Sequence, residues 1–161
     1  MIRSMSAPLS PNRAGMICFN RAGEVLVVSV LDKPNVWVFP KGHTKEGEES
    51  WETAEREVKE EARVLAVVDM SEPLGTTSYT LPTSEEVVVE WWTGLGVREQ
   101  IELTDVVGWD FLRATKWVRW ETALNLLSFS DYRNLLRRAI CLPEVEEGEG
   151  IVTLTDPKEV D

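Results

Sequence analysis

The sequence predicts an α+β (α/β) domain in which a mixed β-sheet carries one central helix and is followed by a helical end. Three observations predict it. The chain has 161 residues and is 43% apolar, enough for one core and too short for two ordinary domains. Short β-branched runs recur between residues 14 and 97, broken by one uninterrupted helical pattern at 50–63. After residue 120 the apolar spacing becomes helical and stays so until Pro143.

Residues 1–11 are Ser/Pro-rich without a period and read as a flexible N-terminal arm. The domain is expected over 12–142. Ala14–Phe19 is an apolar strand, Asn20–Gly23 a turn, and Glu24–Val30 (EVLVVSV) its hairpin partner. Asp32–Asn35 carries a Pro and is expected to break the strand. Val36–Phe39 reads as short and extended, because Pro40 keeps its predecessor out of helical geometry. Lys41–Glu49 reads as a polar loop. Ser50–Arg63 is the clearest helix: Ser50 can cap it, acids fill its first turn, and neither Gly nor Pro interrupts it. Val64–Met70, Leu74–Thr80 and Glu85–Val97 read as strands, the last with Val87, Val89 and Trp91 on one face. Glu121–Leu127 and Asp131–Leu142 are amphipathic helices. Residues 143–161 form an acidic tail that reads as solvated and mobile.

The net charge is −11, of which residues 143–161 carry −6. Such a surface repels phosphodiester backbones and anionic lipid, so neither bulk nucleic acid nor membrane is expected as a partner. No stretch approaches the roughly 20 apolar residues of a membrane helix, and no apolar region follows Arg3 to make a secretory signal. Cys18 and Cys141 read as two buried thiols of a reducing compartment, which points to the cytoplasm. Two Cys and the single His43 are too few for a zinc site. A monomer or homodimer is expected.

The chemistry concentrates in Gly42–Val64. At about 100° per residue, Trp51, Ala54, Val58 and Ala62 form one stripe that should pack on the sheet. Glu57, Glu60 and Glu61 lie together on the neighbouring face, where like charges repel: about 4 kcal/mol for a pair 4 Å apart at an effective dielectric near 20. A divalent cation removes that conflict, and all-oxygen donors select Mg²⁺, Mn²⁺ or Ca²⁺ over zinc. A solvated Glu-rich face is the alternative reading of the acids alone.

The spacing resembles the box of the Nudix hydrolase family, G-x5-E-x7-R-E-U-x-E-E-x-G-U with U aliphatic. Gly42, Glu48, Arg56, Glu57, Val58, Glu60, Glu61 and Val64 match it, and Arg63 stands where the family has its second Gly. Eight such matches arise by chance with a probability on the order of 10⁻⁷. The resemblance runs from about Asn12 to Leu142, including Trp117–Ala123 as a late strand-to-helix passage. It implies a Nudix-like α/β/α sandwich with a mixed central sheet. It also implies Glu57, Glu60 and Glu61 as metal ligands, Arg56 orienting them, Glu48 tying down the loop, and a backbone carbonyl at Lys41 or Gly42 completing the coordination. Magnesium is the implied cofactor, with Mn²⁺ as its substitute. The implied reaction is attack by activated water on one phosphorus of a nucleoside diphosphate derivative. Arg63 should cost on the order of 1 kcal/mol in a left-handed helix cap and remove no ligand.

The general base outside the box stays open among Asp110, Glu90, Glu85 and Glu86, and Glu57 is itself a candidate. The run Phe39-Pro40-Lys41-Gly42-His43 is similar to asymmetric diadenosine polyphosphate hydrolases, with Lys41 and His43 as phosphate contacts. Their ordinary alternatives are a solvated lysine and an incidental loop histidine. Tyr79 or an exposed Trp could stack on an adenine, although core packing is the commoner task of such rings. The expected substrate is a small nucleotide or polyphosphate, foremost a diadenosine tetra- or hexaphosphate. Diphosphoinositol polyphosphates and a triphosphorylated RNA 5′ end are alternatives within the class. A non-catalytic nucleotide-sensing module and a plain acidic interaction protein are the alternatives outside it.

Overall fold

The first hairpin forms where its sequence dictates. The Asn20 side chain accepts from the amides of Ala22 and Glu24 at 3.0 and 2.9 Å, and Gly23 takes φ +81°. This turn joins β1 (Arg13–Phe19) to β2 (Val25–Val30). The computed structural model describes residues 10–101 and 113–146. Most of the expected arm over 1–11 and all of the tail beyond 146 lie outside these residues.

The described strands form one sheet, ordered β3 (Lys33–Val38), β2, β1, β7 (Glu86–Arg98), β5 (Leu65–Val68). Three short strands attach beside this path: β4 (Lys41–His43) on β1, β6 (Gly75–Thr80) on β7, and β8 (Thr115–Val118) on β2. β1 and β7 run parallel and the other pairs antiparallel, so the sheet is mixed. The helices are α1 (Ser50–Ala62), α2 (Trp120–Leu126) and α3 (Ser130–Ala139).

β7 explains the sandwich. Trp91 and Trp92 are both buried although neighbours in a strand point to opposite faces. Trp91 meets Tyr132 of α3 edge-on at 5.6 Å, and Trp92 donates its indole N–H to Ser50 of α1 at 2.9 Å. One helix therefore covers each face, and the strand shows no apolar–polar alternation because neither face of its centre is wet.

Four local expectations are corrected. The break after β2 is shorter than Asp32–Asn35: the chain turns at Leu31–Asp32 and β3 begins at Lys33, where Pro34 is tolerated because β3 lies at the sheet edge. The polar stretch after Pro40 is not all loop, because Lys41–His43 pair with Arg13–Gly15. Helix α1 is capped by Glu49, whose amide donates to Glu52 at 2.8 Å, while the Ser50 hydroxyl serves Trp92. Cys141 is exposed, in contrast to the buried Cys18. It takes φ +64° where α3 unwinds, and the Leu142 amide closes on the Arg137 carbonyl at 2.7 Å. The first residues of the acidic stretch touch α3: Asn134 exchanges two hydrogen bonds with the Val145 backbone, each at 2.9 Å, and Arg138 pairs with Glu144 at 2.8 Å.

Candidate active site

The apolar stripe of α1 decides where its acids go. Ala54, Val58 and Ala62 are buried on the sheet, and Glu57 and Glu61, each one position before a buried residue, go down with them at 7% and 4% exposure. Glu60 lies further round and is half-buried. Glycine at 42 is a steric requirement. A Cβ there would land on the Glu57 carboxyl group, so β4 approaches α1 only as bare backbone.

Arg56 links the acids. Its Nε and Nη2 grip Glu48 at 2.7 and 3.0 Å, its Nη1 reaches Glu57 at 3.0 Å and Glu60 at 3.2 Å, and Nη2 donates to the His43 carbonyl at 2.8 Å. Only a planar fork of donors spans that many acceptors. Glu48 also accepts from the Lys45 amide at 3.0 Å and the Thr53 hydroxyl at 2.8 Å, pinning the loop to the helix.

Burial and charge then set the protonation. Burial would raise Glu48, but the bonds from Arg56, Lys45 and Thr53 outweigh it and hold the acid down at about 2. Glu57 goes the other way: burial pushes it up to about 7, Arg56 opposing and Glu60 adding to the rise. Burial likewise lifts Glu61 well above the carboxylate range, against the attraction of Arg113 and Lys41 and with the repulsion of Glu57. The protein thus buries two carboxyl groups side by side at a cost to their charged forms.

The remaining residues are placed as follows. Lys41 is buried, with its ammonium 5.6 Å from the ring centre of the half-buried Tyr79. The His43 side chain is exposed. Gly42, Ala14 and Glu90 are register partners across β4, β1 and β7, so the half-buried Glu90 shares the sheet face that meets Glu57. At the usual strand spacing it lies about 10 Å from Gly42. Glu85 pairs with Arg13 at 3.4 Å and Glu86 accepts from Thr80 at 3.0 Å, both outside the carboxylate cluster. Asp110 lies outside the described residues.

The family model of the NUDIX domain matches residues 9–139. The chain belongs to the NUDIX family. Among curated Nudix relatives, an RNA pyrophosphohydrolase of Rhodopseudomonas palustris is 31% identical over 131 residues, covering 70% of this chain and 77% of the relative. The asymmetrical bis(5′-nucleosyl)-tetraphosphatase of Caenorhabditis elegans is 27% identical over 131 residues, covering 78% and 91%. Among solved structures, a C. elegans Ap4A hydrolase superposes with a TM-score of 0.61 at 25% identity, covering 83% of this chain and 98% of that one. The protein is a Nudix hydrolase of mixed α+β fold.

Nudix hydrolases generally use divalent cations, and the donors here fit one. Among the described residues, Glu61 Oε1 is buried with no hydrogen-bond partner, and the Glu61 carboxyl group adjoins that of Glu57. A buried, partnerless carboxylate oxygen beside a second buried carboxyl group suits a hard cation. No three His, Cys, Asp or Glu side chains among the described residues are grouped so as to hold a metal ion. Arg56 draws Glu60 toward itself, and a Mg²⁺ site keeps several waters in any case. Arg63 of the Nudix box takes φ +57° and ψ +37°, the left-handed geometry for which the family glycine is suited. Sequence reasoning missed Arg113, which pairs with Glu61 at 3.6 Å, because nothing in its spacing ties it to the box. Thr53 was missed too, although its place five residues after Glu48 on the same capped turn could have indicated it.

Proposed function

We propose that the chain is a Mg²⁺-dependent pyrophosphohydrolase that cleaves dinucleoside polyphosphates, of the diadenosine tetra- or hexaphosphate type, into unequal products. The observation that carries this reading is the joint between β4 and α1. It sets the bare backbone of Gly42 against the buried Glu57 carboxyl group, with Glu61 buried one turn further along α1 and the buried Lys41 next in the strand. In this reading Glu57 and Glu61 hold the cation, with Glu60 and a β4 carbonyl at its rim. Bound there, a divalent cation supplies Lewis acidity toward water and the phosphate oxygens. Arg56 keeps the carboxylates oriented, and Glu48 keeps Arg56 and the loop in place. Lys41 offsets charge on the scissile phosphates, with His43 as a second donor at the exposed rim. Water attacks one phosphorus, and one P–O anhydride bond breaks. Glu90, on the same sheet face, and Asp110 are the acids outside the box proposed as general base.

The C. elegans tetraphosphatase supports the dinucleotide substrate. The R. palustris relative favours a second reading, removal of pyrophosphate from a triphosphorylated RNA end. The net charge of −11 weighs against RNA, whose further phosphates it repels. Nucleotide sensing without cleavage is disfavoured by the presence of every box carboxylate. A cytoplasmic location, where such nucleotides are made, is part of the proposal.

The test is product analysis in Mg²⁺ with diadenosine tetra- and hexaphosphate, triphosphorylated RNA, ADP-ribose and a diphosphoinositol phosphate. The expected result is preferred cleavage of the diadenosine compounds to unequal nucleotides. Preferred release of pyrophosphate from RNA would replace this substrate assignment with the second reading.

A further inference from the structure

The two arginines near the carboxylates divide them. Arg56 bonds the side chains of Glu48, Glu57 and Glu60. Glu61 is held by Arg113 instead, from a part of the chain 52 positions further on. The grip is double. The Arg113 guanidinium lies 3.6 Å from Glu61 Oε2, and the Arg113 amide donates to the Glu61 carbonyl at 2.9 Å. That carbonyl belongs to the last turn of α1, where the helix offers it no partner of its own.

Arg113 is itself anchored at one end of its guanidinium, while its buried Nε has no hydrogen-bond partner. Its side chain is only 10% exposed, its Nη1 donates to the Ser29 carbonyl at 3.4 Å, and the neighbouring Ala114 carbonyl accepts from the Ser29 amide at 2.9 Å. The guanidinium therefore spans from the central strand β2 to the end of α1. It stands at Oε2, and the other oxygen, Oε1, is buried without a hydrogen-bond partner.

We infer that Arg113 is the positioning residue of Glu61: by holding the backbone and Oε2, it presents Oε1 to the cation. The inference rests on the proposed role of Glu61 as a ligand. Its physical basis is that a buried carboxylate without a counter-charge is costly and free to turn, so the partner behind a ligand governs the ligand. Arg113 also repels an incoming cation, and orientation outweighs this because the charge sits behind Oε2.

The experiment measures Mn²⁺ affinity of the full chain without substrate, from the electron paramagnetic resonance of free Mn²⁺, beside thermal melting. Arg113→Met and Arg113→Gln both remove the charge, and Gln keeps a donor toward Ser29, so a folded variant is available. Either is expected to weaken Mn²⁺ binding about ten- to hundred-fold. Arg113→Lys, which restores the charge without the fork, should recover part of that loss. Wild-type or tighter Mn²⁺ binding in the uncharged variants, whatever their melting temperature, would overturn the inference. Glu61→Gln separates the two levels. If it too binds Mn²⁺ like wild type, the ligand role of Glu61 has failed; if it alone weakens binding, only the role of Arg113 has.

Discussion

The Glu57 carboxyl group occupies the space that a side chain at Gly42 would need. A methyl group at 42 must therefore displace the acid, the strand or both. Gly42→Ala is expected to lower kcat/KM by about 100-fold, the usual effect of moving a reacting group by about 1 Å. Melting should show that the fold survives, since β4 keeps its backbone pairing with β1. Steady-state kinetics with full activity would contradict the packing described.

Arg56 is expected not to tolerate lysine. An ammonium group reaches one or two of the acceptors on Glu48, Glu57, Glu60 and His43, not all of them. Arg56→Lys should lose about ten- to hundred-fold in activity. Arg56→Ala, which leaves partly buried acids without their counter-charge, should in addition cost about 3 kcal/mol on denaturant unfolding.

Two acids of one cluster titrate with opposite sign. Glu48 is depressed to about 2, so its stabilisation is present above the ordinary 4.5 and lost as pH falls toward 2. Glu57 is raised from 4.5 to about 7, so its effect is the reverse: stability is full below 4.5 and is lost as pH rises through 7. In EDTA, stability should fall between pH 5 and pH 8 by on the order of 3 kcal/mol at most, and the melting temperature with it. Mg²⁺ should flatten that fall by favouring the charged forms. Melting curves that are level in EDTA would show that burial does not govern Glu57.

Arg63→Gly is expected to stabilise. The left-handed conformation at φ +57° strains a residue with a Cβ by about 1 kcal/mol, partly offset by the extra freedom of glycine in the unfolded chain. A rise in melting temperature of roughly 2 °C, with kcat unchanged, is the outcome to check by calorimetry.

These residues also show what was legible in the sequence. The box was, because ligand spacing on a helix is a local property: Glu57, Glu60 and Glu61 follow from 3.6 residues per turn and Arg56 from its place among them. The sandwich was expected through the resemblance to the Nudix family, and the burial of the adjacent Trp91 and Trp92 on opposite faces is its counterpart in the structure. β4 was not, since Lys41-Gly42-His43 has no apolar pattern and is a strand only through its pairing with Arg13–Gly15. The cap at Glu49 was hidden because Ser50, the better capping residue by type, is taken by Trp92 from 42 positions away. Arg113 meets Glu61 only through tertiary folding, so no spacing announces it.

The most direct measurement is the hydrolysis of diadenosine tetraphosphate in Mg²⁺ by the wild type and Glu57→Gln, with nucleotide products separated by chromatography. The expected result is ATP and AMP from the wild type, and a rate for the variant no higher than that of the wild type in EDTA. Turnover by Glu57→Gln at the wild-type rate would contradict the site, and ADP as the sole product would contradict the asymmetric cleavage.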